Sequence, residues 1–165
     1  MIIIDNLEHL AKEKLDENLK FRAFLKNHAD PDDLDAKFKK LHEKYFAIYD
    51  CSKCRNCCIK LKGTIPNSDL KHDAEYLGIT VEDFKNKYLD DKSNNREYVT
   101  KNCPCDFFDG NDCILGDNKP ETCKTFPHTD KDNRLASMWS IIDNTSVCPV
   151  VYEIIEELKQ VYNFH

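Results

Sequence analysis

Residues 51–58 read CSKCRNCC, four thiols in eight positions of a 165-residue chain that holds nine cysteines in all. Such density leaves three readings: disulfide partners, a redox pair, or metal ligands. Nine is odd, so a disulfide scaffold would strand one thiol, and the adjacent Cys57 and Cys58 would have to face different partners. The start, MIII, runs straight into Asp5 and lacks both the basic opening and the apolar run of roughly 7 to 15 residues that a signal peptide needs. A cytoplasmic location is therefore expected. There structural thiols stay reduced, and a dense cysteine pattern points to metal binding or catalysis.

Length and composition narrow the class further. At 165 residues with 41% apolar content, the chain can build one compact domain with a modest core. Net charge is −6 and no block of Lys and Arg is long enough to track phosphates, which argues against nucleic acid as a partner. No stretch approaches the roughly 20 apolar residues of a membrane span, so a membrane is not an expected partner either.

A helical frame surrounds the cysteines. Asp5 and Glu8 have the spacing of a capping box, and Leu7, Ala11, Leu15 and Leu19 recur every four residues before Phe21, Phe24 and Leu25, which predicts a helix over about 6–28. Asp30 as N-cap and Pro31 at the first helical position begin a second helix carrying Leu34, Phe38, Leu41, Tyr45 and Ile48. Together they predict an N-terminal helical hairpin, residues 1–50, packed on a cysteine-cluster metal-binding region, residues 51–165. After Cys58 the pattern predicts a short extended piece, a helix from Ser68 or Asp69 to Gly78, and another capped by Thr80 and Asp83 with Val81, Phe84 and Tyr88 on one side. From about 90 to 133 no apolar period is sustained, so bound metal is the expected source of order there. RLASMWSIID predicts a short strand or helix covering the site with Trp139. A last helix opens at Pro149 with Val151, Ile154, Ile155, Leu158 and Val161 or Tyr162 on one face. The expected fold class is mainly α: a small helical domain with irregular, metal-organised cysteine-rich loops and at most short strands.

Cys148 falls at the N-cap of that last helix, where free N–H groups and the helix dipole favour a thiolate, the metal-binding form. CxxC spacing lets Cys51 and Cys54 face one ion across a tight turn, and Cys57 extends the run to CxxCxxC. With a remote Cys-Pro, here Cys148-Pro149, this resembles the ligand set of a cubane iron-sulfur cluster. Cys58, Cys103, Cys105, Cys113 and Cys123 suffice for a second site with one left over. The alternative is that some of these later thiols are small buried core residues.

CSKCRNCC, followed by CDFFDGNDC, KPETCKTFPH and CPVVYEIIEELK, resembles the CxxCxxCC (YkgJ-type) cysteine-cluster family of bacterial zinc- or iron-chelating proteins, over about Cys51 to Tyr162. The resemblance implies metal ligation by Cys51, Cys54, Cys57, Cys58, Cys105, Cys113, Cys123 and Cys148, with Cys103 as the extra thiol. It implies zinc or iron, including a 4Fe-4S cluster, as the cofactor. Lys119 stands where the family usually has Arg before Pro, and Asp106 where it has Pro. A lysine is a point charge and cannot supply a bidentate contact.

Three functions follow as expectations. The first is a metal-binding protein with closed thiolate sites in a structural or metal-handling role, with metal ions and a protein as partners. The second is an iron-sulfur redox protein or enzyme, including a protein-lysine methylase-like activity of the kind one branch of the family carries. The third is a thiol redox switch. The four glycines form no phosphate-cradling loop and no Ser/His/Asp constellation is legible, so neither a hydrolase nor a nucleotide-binding signature is present. His72 and His128 are spare ligand candidates, His128 the better placed, and the aromatic run Phe38, Tyr45, Phe46 and Tyr49 is expected to pack against the cluster.

Overall fold

A computed structural model describes residues 4–90 and 96–165; the MIII start, apart from the backbone of Ile4, and part of the aperiodic stretch after residue 90 lie outside the described residues. In chain order the helices are α1 (Ile4–His28), α2 (Pro31–Phe46), α3 (Cys51–Cys54), α4 (Asn56–Lys60), α5 (Leu70–Tyr76), α6 (Val81–Tyr88), α7 (Glu121–Lys124), α8 (Met138–Asn144) and α9 (Pro149–Val161). The strands β1 (Thr64–Pro66) and β2 (Glu97–Val99) pair antiparallel, with Ile65 opposite Tyr98. The fold is mainly α. Contacts divide the chain into a helical unit, residues up to Cys54 with Pro127–His165, and a loop unit, Arg55–Phe126. This division joins both chain ends in one unit, whereas the sequence expectation separated residues 1–50 from 51–165.

In the helical unit α1 and α2 both pack on α9, and α1 also meets α8. The two N-terminal helices thus both rest on the C-terminal one. The buried face of α1 is Leu7, Ala11, Asn18, Phe21 and Leu25. Leu15 is 45% exposed, because steps of four residues advance about 400° and rotate off the face by about 40° each time; alternating steps of three and four stay on it. Asp5 sits inside a helix that already includes Ile4, so it serves the first turn and the helix dipole instead of capping. The α2 start follows the sequence reading, with the Asp30 carboxylate accepting from Asp33 N at 2.9 Å ahead of Pro31. Val151, Ile154, Ile155 and Leu158 of α9 are fully buried, while Val161 is exposed and Tyr162 takes the end of the face. Trp139 is 54% exposed under the Arg22 guanidinium, 4.4 Å from its ring.

The loop unit has an apolar core of its own: Ile65, Leu70, Ala74, Phe84, Leu89, Phe107 and Leu115. Thr80 caps α6 by accepting from Asp83 N at 3.0 Å, and α5 ends at Gly78, whose φ of +71° lets the chain turn without a Cβ penalty. Phe107, from the stretch with no apolar period, lies 5.6 Å from Phe84 and 5.0 Å from Tyr88, ring to ring. Two anchors, Phe107 and Leu115, therefore tie the irregular segment to a hydrophobic core, which corrects the expectation that metal alone could order it. A chain needs no period to bury isolated side chains at the turns of a loop.

Candidate metal centre

The run CSKCRNCC is cut in two. Arg55 has φ +52°, a left-handed conformation rare for a residue with a Cβ, and it interrupts the helix between α3 and α4. Asp50 holds the start of α3, its carboxylate accepting from Ser52 N at 2.9 Å and from the Ser52 hydroxyl at 2.5 Å. Cys51 and Cys54 thereby fall in the helical unit, and Cys57 and Cys58 in the loop unit.

Within the helical unit, Cys51 and Cys54 neighbour Cys148 closely enough to act on its ionisation. Cys148 is buried at the N-terminus of α9. Burial pushes its thiol up to about 12, against the pull of the Val151 and Val150 N–H groups, which face the sulfur and favour the thiolate without closing a capping hydrogen bond. The helix terminus does favour the thiolate, as expected from the sequence, but desolvation is the larger effect in the metal-free protein. Tyr49 shares a hydrogen bond with Cys54, and burial, that bond and the charges of Cys54, Cys148 and Cys51 all hold its hydroxyl protonated well above the ordinary range. Of the four aromatic residues expected to pack against the cluster, Tyr49 hydrogen-bonds to a thiol, that of Cys54. Phe38 is core, Phe46 lies 4.5 Å from the His42 ring, and Tyr45 donates to Glu157 at 2.6 Å.

The loop unit gathers the remaining family cysteines. Cys105 N donates to Cys58 O at 2.8 Å, joining α4 to the 105–114 turn. That turn is closed by Phe108 N to Cys105 O at 2.9 Å and Ile114 N to Phe107 O at 2.8 Å, with Phe108 bridged to Cys113. The thiol of Cys58 is raised well above its usual range by its hydrogen bond with Cys57, then by burial. Burial also raises Cys113, where Cys105 and Cys58 add to the rise. Cys123 goes up to about 11, chiefly by desolvation and then through Cys105, Cys113 and Cys58; the residue is exposed by area, but its sulfur is crowded. Cys103 is exposed and does not figure among the groups acting on Cys58, Cys113 or Cys123.

Two cations lie at this second group. Lys119 and Arg55 both favour the Cys58 thiolate, and Lys119 does the same at Cys113. Asp112 holds the pair: Arg55 Nη2 is 2.7 Å and Lys119 Nζ 3.4 Å from its Oδ1. Sequence reasoning missed Arg55 and Asp112, although an arginine inside a thiol-dense run and an aspartate directly before Cys113 were the signal. His72 is exposed beside Asp73 at 3.7 Å, and the His128 carbonyl accepts from Arg134 at 2.6 Å. Neither histidine is among the groups that shift Cys58, Cys113, Cys123 or Cys148.

Among the described residues, no three His, Cys, Asp or Glu side chains are drawn together tightly enough to hold an ion as they stand. The thiols are neighbours, not a closed coordination sphere. The donor chemistry fits a thiophilic metal nonetheless: soft sulfur donors at two places, thiols raised at Cys58, Cys113, Cys123 and Cys148 that a bound cation would ionise, and positive side chains near Cys58 and Cys113. Among the described residues no helix is long and apolar enough to cross a membrane. The family model described as "CxxCxxCC: Putative zinc- or iron-chelating domain" matches residues 50–149. No curated protein and no solved structure gives a significant match.

Proposed function

The chain belongs to the CxxCxxCC family of zinc- or iron-chelating domains, and from that premise we propose that it binds metal at two thiolate centres in a structural or metal-handling role. Cys58, Cys105, Cys113 and Cys123 would hold one ion or cluster. Cys51, Cys54 and Cys148 would be the core of the other, and Cys57, the remaining thiol of the CxxCxxCC run, is a ligand candidate as well. The observation that carries this reading is the grouping of the thiols: Cys105 N donates to Cys58 O at 2.8 Å and the same turn bridges Phe108 to Cys113, while Cys148 lies near enough to Cys51 and Cys54 for their charges to act on it.

Eight thiolates close two four-coordinate sites without water, so metal bound here would lack the open position that Lewis-acid catalysis requires. Such a centre stabilises the fold or transfers electrons. Its own contribution to the site is positional: the Cys105–Cys58 backbone bond and the 105–114 turn fix where the sulfurs start from, and the metal supplies the charge that ionises them.

Metal content after anaerobic purification, with the visible spectrum, separates a colourless zinc protein from a brown iron-sulfur protein. Substitution then assigns the ligands. Cys105→Ser should lose about one of two metal equivalents, whereas Cys103→Ser should keep both. The opposite pattern would show that the register of the second group is wrong. The CxxCxxC run with its remote Cys-Pro favours iron-sulfur redox chemistry as the second reading, and a reversible couple in voltammetry would support it.

A further inference from the structure

We propose that Arg55, Asp112 and Lys119 form an electrostatic clamp that compensates the charge of the loop-unit metal centre and sets how tightly it holds its metal. The inference rests on the reading of Cys58, Cys105, Cys113 and Cys123 as one thiolate site. Four thiolates around a divalent ion carry an excess of two negative charges, and a partly buried site must offset that excess or lose affinity.

The geometry supplies the offset. The Arg55 and Lys119 side chains are only 18% and 23% exposed, more enclosed than the 54% exposed carboxylate they share. A surface ion pair would show the reverse, with cations in water. One carboxylate cannot neutralise two cations, so the trio of Arg55, Asp112 and Lys119 carries one net positive charge. Asp112 acts as the positioner: its Oδ1 also accepts from Cys113 N at 2.7 Å, so the carboxylate that collects the cations is fastened to the backbone of a ligand. Arg55 Nε is buried and finds no acceptor within the protein, which leaves a donor of the kind that thiolate sulfur accepts. The left-handed backbone at Arg55 then has a use, since it places this side chain at the break between two thiol-bearing helices.

The test uses the zinc-loaded full-length protein, equilibrated against a graded series of chelators at low and at high salt, with circular dichroism of each loaded variant. Lys119→Gln and Arg55→Gln should each release one zinc equivalent about tenfold more readily, within the 10–100-fold range for residues that orient or tune metal ligands. The difference should shrink at high salt, and the other equivalent should be unmoved. Lys119→Arg should hold zinc as the parent does, and Lys119→Met, which keeps the stem without the charge, should match Lys119→Gln. Unchanged release in both Gln variants, or equal loss in Lys119→Arg and Lys119→Met, would overturn the clamp by showing either no effect or an effect of shape alone. Failure of the underlying reading looks different: Cys113→Ser would then retain the full zinc content.

Discussion

The two units hold their thiols by different means. In the helical unit Cys148 is placed by a helix whose whole face is buried, and Cys51 and Cys54 by a single turn started at Asp50. In the loop unit Cys58 lies on a short helix, Cys105 and Cys113 flank a turn, and Cys123 lies on one turn of helix between loops. In the first group Cys148 inherits its position from apolar packing that exists without metal. The second is tied down by a few backbone hydrogen bonds and by the anchors Phe107 and Leu115. Order that comes from a long buried stripe survives the loss of a ligand, while order assembled from single contacts depends on every one of them.

That contrast makes metal removal the largest perturbation available. Structural zinc contributes about 10–16 kcal/mol of apparent binding free energy in small zinc-finger peptides, which is folding free energy wherever no preformed site exists. Stripping the full chain under reducing conditions should therefore abolish amide protection over residues 105–126 and leave α1, α2 and α9 protected, as read by hydrogen exchange with mass spectrometry. The core around Phe84 should retain intermediate protection. Uniform loss across both units would break the comparison, and unchanged protection at 105–126 would show that Phe107 and Leu115 suffice.

The same contrast explains what could be read from the sequence. Helices α2 and α9 were legible because capping residues and an apolar stripe agree: Asp30 before Pro31, and Pro149 followed by Val151, Ile154, Ile155 and Leu158. The helix α1 was legible in extent but not in face, since Leu15 and Leu19 extend a tempting four-residue repeat that drifts around the cylinder while the polar Asn18 takes the buried position. The cysteine set was legible from motif spacing, but its partition was not, because which sulfurs meet depends on long-range closure and on one left-handed residue, Arg55. The clamp at Asp112 was equally hidden. Charges 57 residues apart in sequence carry no local period.

The pH dependence should change sign with metal. In the metal-free protein the buried Cys148 thiol is raised from 9.0 to about 12, so above pH 9 the unfolded chain ionises it first and binds fewer protons than the folded one. The stability that this thiol contributes is present below pH 9 and is lost as pH rises toward about 12. With metal bound the ligand must be a thiolate, protons compete with the ion, and stability should instead fall on the acid side of neutrality. Melting temperature against pH, with and without metal, reads both limbs, and ligation of thiols protonated at neutral pH should release protons measurable in a weakly buffered titration. If the loaded protein were as acid-resistant as the stripped one, Cys148 would not be a ligand, and the helical unit would hold a buried structural thiol only.

The smallest effect expected is at Gly63, and it is confined to the loop unit. A Cβ added there would stand 3.0 Å from Cys105 Sγ and 3.3 Å from Thr100 Cγ2, and no positive φ is involved, so the conflict is purely one of space. The backbone at Gly63 cannot retreat freely, because its N–H donates to Thr100 Oγ1 at 2.8 Å and its carbonyl accepts from Thr100 N at 2.9 Å. The sulfur must therefore give way by a few tenths of an ångström. Gly63→Ala should destabilise the metal-free loop unit by about 1 kcal/mol, at the low end for adding a methyl group to a packed site. In the loaded protein it should loosen the centre containing Cys105 while leaving the equivalent at Cys51, Cys54 and Cys148 untouched, as read by chelator competition on both. Tighter binding in the variant would mean that Cys105 Sγ moves toward its ligand position when pushed, which would place the metal on the far side of the sulfur from Gly63. An effect on the other equivalent would show that the two groups of thiols do not act independently.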